Sequence, residues 1–167
     1  DLFFQQQANK SLKLESDFVP GFFRKTAWSN DTEAKDWGRK IKPWMKTLPN
    51  PQRLWVMQQM ETQNKGTATP PKMMMNWGEV KELQDAGFYI GSHSHTHPML
   101  ASLANDEEIE HELVISSARI QEKLGQIPAT ISYPIGSWDE RVINAAARSG
   151  YRYGLAVEQR FYKPDTD

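Results

Sequence analysis

Twice in this chain a helical pattern stops at a glycine and runs straight into an aromatic strand pattern. The two junctions are Ala86-Gly87-Phe88-Tyr89 and Ser149-Gly150-Tyr151-Arg152. Glycine closes a helix because it alone takes the left-handed conformation without strain. Between and around these junctions, strand and helix alternate. Asn76-Trp77-Gly78-Glu79 fits a capping box, and Trp77, Val80 and Leu83 share one helical face before Gly87. Phe88-Tyr89-Ile90 reads as a strand. Asp106 to Leu124 reads as a longer helix, with Ile109, Leu113, Ile120 and Leu124 at helical spacing and acidic residues in the first turn. Gly125 stops it. Ala129 to Tyr133 is the next strand, Asp139 to Ser149 the next helix and Tyr151 to Val157 the last strand. Such alternation with short connections predicts parallel βα units, hence an α/β sheet or barrel. Functional groups in such folds gather at the carboxyl ends of strands.

The first part of the chain is less regular. Residues 1–18 read as a helix, with Leu2-Phe3-Phe4, Ala8 and Leu12 on its apolar side. Val19-Pro20 resets the chain, since a residue before proline avoids helix. Phe22 to Trp28 reads as a strand. Residues 31–70 read as an insertion on the rim of a single domain spanning 1–167. Asn50-Pro51 starts a helix there, through Leu54, Val56, Met57 and Met60, to a stop near Gly66. The insertion's Trp37, Trp44 and Trp55 are packing residues or sugar-stacking platforms.

At 167 residues the chain is long enough for one domain with a sizeable core. A net charge of -1, with 25% charged residues, gives no electrostatic case for nucleic acid. No apolar run approaches the roughly 20 residues of a membrane span. The absence of cysteine removes disulfides and thiolate metal sites. A chain opening at Asp1, with no signal-peptide pattern, is expected to be a processed product or a fragment.

Three of the four histidines fall in Ile90-Gly91-Ser92-His93-Ser94-His95-Thr96-His97-Pro98. Neutral imidazole is the commonest metal-binding side chain, and without cysteine any site must combine nitrogen with oxygen ligands. In an extended strand His93, His95 and His97 would face one way. If the chain turns after His93, positions 93 and 97 converge and 95 points elsewhere. His111, in a charged helical segment, is read as solvated. His93 follows one predicted strand and Pro134-Ile135-Gly136 follows the next, so the two stretches are expected to be neighbours.

These pieces, with Leu124-Gly125, Tyr133-Pro134-Ile135-Gly136 and Ser149-Gly150-Tyr151, resemble the NodB-homology polysaccharide deacetylases, the family 4 carbohydrate esterases. The resemblance covers 72–160 well and 1–30 loosely, and does not reach 31–70. It implies a distorted (β/α) barrel, incomplete here at both ends. It also implies hydrolysis of acetyl groups on chitin, peptidoglycan or a related glycan, in the periplasm, at the cell surface or outside the cell. The family's His, Ser or Thr, two variable residues, His motif lies over 93–97. This implies zinc or another divalent ion on His93 and His97, with His95 a variable position. The Ile135 amide is implied as oxyanion donor, and Tyr133, Pro134 and Trp138 as walls of the substrate groove.

The family's paired aspartates have no counterpart, since no Asp-Asp occurs in the chain. The interval to Val19-Pro20-Gly21-Phe22-Phe23 implies Asp1 as the metal aspartate and leaves the base outside this chain. The family's later histidine motif, and the arginine before its proline motif, are also absent. Two other readings stay open, a non-catalytic module that binds glycan and a histidine site that holds metal for structure alone.

Overall fold

The computed structural model describes residues 10–63 and 74–157. The chain divides into two compact units, Asp1–Met74 and Met75–Asp167.

In the first unit, β1 (Ser11–Lys13) pairs antiparallel with β2 (Lys25–Ala27), Leu12 opposite Thr26. The expected helix over 1–18 is therefore wrong for residues 11–13; residues 1–9 lie outside the described residues. Leu12 and Leu14 are buried and Lys13 between them is exposed, a period of two rather than 3.6. A single helical turn, α1 (Gly21–Arg24), replaces the first half of the expected strand at 22–28, burying Phe23 and exposing Phe22.

Next comes α2 (Asp31–Lys46), for which the sequence reading set no element. Asn30 caps it, accepting from the Glu33 amide at 3.0 Å, and Pro43 lies inside it. The helix α3 (Asn50–Gln63) begins where Asn50-Pro51 predicted. Trp37, Trp44 and Trp55 are half-buried against a core of Leu12, Leu14, Val19, Phe23, Trp28, Ala34, Ile41 and Val56. Phe23 meets Trp44 at 4.8 Å and Phe18 meets Trp55 edge-on at 5.4 Å, so these rings serve packing.

In the second unit, α4 (Trp77–Asp85) carries the predicted capping box. Asn76 Oδ1 accepts from the Glu79 amide, and the Asn76 amide donates to Glu79 Oε2. The helix α5 (Asp106–Leu124) has the predicted bounds and is closed by Gly125 at φ 69°. Strand β3 (Thr130–Ser132), helix α6 (Glu140–Arg148), capped by Asp139, and β4 (Tyr153–Leu155) follow in the predicted order. β3 and β4 are parallel, Ile131 opposite Gly154.

The expected strand at 88–90 forms two residues later, as a single parallel bridge from Ser92 to Ile131. Gly91 permits the approach, since a Cβ there would come within 3.3 Å of Thr130 O. Phe88 and Tyr89 stay exposed, and the Tyr89 hydroxyl accepts from the Ala129 amide at 2.5 Å. The α/β alternation is present, but the described residues form short sheets and no closed barrel. No described helix is long and apolar enough to cross a membrane.

The core of this unit joins Leu100, Leu103, Ile109, Leu113, Ile131, Tyr133, Val142, Ala145, Ala146 and Tyr151. The Tyr133 ring fills the space over Gly154, where a Cβ would lie 2.8 Å from its Cζ and Cε2 atoms. Gly154→Ala should therefore destabilise the protein by about 1–3 kcal/mol through overpacking. Urea denaturation measures this, and a midpoint equal to wild type would show that Tyr133 has room to move.

Candidate metal centre

The site grows from the end of the short parallel sheet. The Ser92 amide donates to Thr130 O and the Ser132 amide to Ser92 O, both at 2.9 Å. This registers His93 beside Ser132. His93 Nδ1–H donates to Ser132 O at 2.7 Å. A carbonyl only accepts, so the neutral imidazole must carry its hydrogen on Nδ1 and leave the lone pair on Nε2.

The chain then turns. Ser94 (φ 63°) and His97 (φ 59°) are both left-handed, and the His97 amide donates to Ser94 Oγ at 3.1 Å. The rings of His93 and His97 come to 4.8 Å between centres at 71°. His95 instead lines a separate hollow of about 390 Å³ with Trp77, Ile90, Ser116 and Arg119. Of the two arrangements left open by spacing, the turned one is observed.

The turn is held from below by Glu112, a buried residue of α5. Its Oε2 accepts from the amides of His95 (2.9 Å) and Thr96 (2.6 Å), and its Oε1 from Thr96 Oγ1 (2.5 Å). Sequence reasoning passed over Glu112. The signal was its position three residues after Ile109 and one before Leu113, on the face that carries the apolar stripe. Ser116, one turn further along that face, shares a buried 2.8 Å hydrogen bond with Ser92.

The neighbouring wall is the turn Pro134–Gly136 that ends β3. Ile135 is left-handed there (φ 58°), a costly state for a β-branched residue. Tyr133 and Pro134 are buried beneath this turn, whereas Trp138 is 41% exposed. Burial pushes the Tyr133 hydroxyl above its ordinary pKa. Burial also pushes Tyr151 up, while the hydroxyls of Ser92, Ser116 and Ser117 pull it down. Tyr151 donates to Leu113 O at 2.9 Å.

Two imidazoles side by side, one with its free nitrogen fixed, fit two ligands of a divalent ion. Among the described residues no group of three His, Asp or Glu side chains assembles for a metal. Asp1, implied as the third ligand, lies outside the described residues. His111 is exposed on α5, as expected.

Residues 29–154 match the family model described as polysaccharide deacetylase, and the chain belongs to that family. The match takes in the whole of the 31–70 segment that the sequence resemblance left unassigned. Among individual relatives, the chain is 30% identical over 80 residues to YxkH of Bacillus subtilis (strain 168), whose name assigns it provisionally to the polysaccharide deacetylases. That alignment covers 48% of this chain and 28% of the relative, so the chain spans well under two thirds of that protein's length.

Among solved structures, the Streptococcus pyogenes deacetylase PplD in complex with acetate is similar with a TM-score of 0.50 and 24% identity, over 53% of this chain and 38% of that one. That likeness is one of fold. A weaker one, with a TM-score of 0.44 and 24% identity, is to a family 4 carbohydrate esterase from Streptomyces lividans in complex with acetate. It covers 47% of this chain and 40% of that one.

The two tyrosines give the unit a signature in alkali. In the unfolded chain they ionise near pH ~10, but in the folded protein only above that value. The unfolded state therefore loses protons first, and stability falls as pH rises from about 10. Denaturation midpoints measured from pH 8 to 11 should show this fall, and Tyr151→Phe should flatten it. An unchanged slope in Tyr151→Phe would remove Tyr151 as a cause.

Proposed function

We propose that the protein is a metal-dependent deacetylase that hydrolyses N-acetyl groups on a polysaccharide of the chitin, peptidoglycan or poly-N-acetylglucosamine type. The observation that carries this reading is the pairing of His93 and His97, with His93 Nδ1 committed to Ser132 O. Family membership supports it.

His93, through Nε2, and His97 would hold zinc or another divalent ion. Bound there, such an ion polarises an acetyl carbonyl and makes its water more acidic. The Ile135 amide, on its left-handed turn, donates to the oxygen that gains charge as the carbonyl becomes tetrahedral. Backbone strain beside a candidate site is itself a pointer to function. Trp138, exposed next to this turn, offers a face to a sugar ring. A carboxylate takes the proton from water in this scheme, and Asp1, which lies outside the described residues, is the third ligand. The substrates imply action in the periplasm, at the cell surface or outside the cell.

His93→Ala and His97→Ala should each abolish binding of zinc in a calorimetric titration, whereas His95→Ala should keep most of it. Equal losses at all three positions would overturn the ligand assignment. The whole protein should release acetate from an acetylated glucosamine oligomer when a divalent metal is supplied. Binding of the oligomer without acetate release under any metal would mark a glycan-binding module instead.

A further inference from the structure

We propose that Glu112, whose hydrogen bonds go to neither imidazole, is a positioning residue that sets the spacing of His93 and His97 and so their affinity for a divalent cation. The inference rests on reading that pair as metal ligands.

Glu112 is only 2% exposed, and all three of its hydrogen bonds go to His95 and Thr96, the residues that lead the turn into His97. Those two residues are bracketed by left-handed Ser94 and His97. Each such non-glycine residue is strained and persists only where surrounding contacts enforce it. The Ser94 hydroxyl closes the turn locally through the His97 amide. Glu112 is the anchor that ties the turn to a helix.

The same helix grips the stretch a second time, through Ser116 to Ser92. Positions 112 and 116 lie on one face, a turn apart. The stretch is thus fixed ahead of His93 by Ser116, at the His93 ring by Ser132 O, and ahead of His97 by Glu112. Without Glu112 the first two anchors remain. His93 keeps its place while the approach to His97 loses three hydrogen bonds to the helix, and the pair's common geometry loosens.

The experiment uses the whole protein freed of metal and titrated with Co²⁺ and with Zn²⁺, read by calorimetry and by the visible absorption of Co²⁺. Glu112→Leu matches the shape and removes all three acceptors. In molecules that keep the wild-type circular dichroism, it should lose on the order of 10–100-fold in affinity, as indirect supports of metal ligands do, with an altered Co²⁺ spectrum. Glu112→Gln keeps one oxygen for the two amides and should fall at the lower end of that range.

A merely structural Glu112 would lower the melting temperature and leave affinity and spectrum at wild-type values, which overturns the proposal. If Glu112→Leu does not fold, Glu112→Gln decides by the same readouts, and wild-type affinity there overturns it equally. A wild-type protein that binds neither ion takes down the ligand reading itself. That outcome differs from a wild type that binds and variants that bind alike.

Discussion

A buried carboxylate facing two backbone amides and a hydroxyl is the interaction on which the second unit's geometry turns. An ionised group taken out of water is costly unless its oxygens are fully engaged. Glu112 meets that demand with donors drawn entirely from one short turn. Hydrogen bonds to a charged acceptor are roughly twice as strong as neutral ones. The two left-handed residues are thus supported both by Glu112 and by the Ser94 hydroxyl, which accepts from the His97 amide. The turn is shaped by a helix that is itself fixed by apolar contacts, since Ile109, Leu113, Ile120 and Leu124 are all buried.

Polar groups inside this unit cluster along the same line. Ser116 meets Ser92, Tyr151 meets Leu113 O, and Glu112 meets the turn, so α5 presents hydroxyl, carbonyl and carboxylate groups toward the sheet. Each is satisfied by a neighbour, as buried polar groups must be. The face is thus apolar where it packs and polar where it orients the histidine stretch. On the other side of the site, the Pro134 turn carries strain at Ile135, held from below by buried Tyr133 and Pro134.

Much of this was legible in the sequence wherever capping and periodicity agreed. Asn76 with Glu79, Asp106 to Leu124 with Gly125, and the helix beginning at Asp139 were all read from local rules, and the structure has them within a residue. Where local rules conflicted, the reading failed. Lys10-Ser11-Leu12-Lys13-Leu14 suits either period, and pairing with Lys25–Ala27 decided for the strand. Asn30 with Glu33 was a cap as clear as Asn76 with Glu79, but Pro43 and the tryptophans hid the helix that it starts. Phe88-Tyr89-Ile90 had the composition of a strand, but the backbone draws close only at Gly91 and Ser92, where side chains are small. Within the site, the family spacing singled out His93 and His97. Glu112 was passed over because two of its three partners are backbone amides, which leave no mark on a sequence, and its place on the apolar face was the one signal.

The three parallel segments around Ser92, β3 and β4 share an orientation, and each is preceded within a few residues by a glycine-closed helix. Gly87, Gly125 and Gly150, at φ 92°, 69° and 90°, all stand at the segments' amino ends. His93, Tyr133, Pro134 and Ile135 stand at their carboxyl ends. The unit thus keeps two separate inventories at opposite poles of one small sheet. One pole closes the helices, and the other carries the residues proposed to bind the metal and the substrate. Variation sorted for yield would collect at the glycine pole, and variation sorted for chemistry at the histidine pole. Few positions would answer to both, and Glu112, reaching from the core to the turn, is one of them.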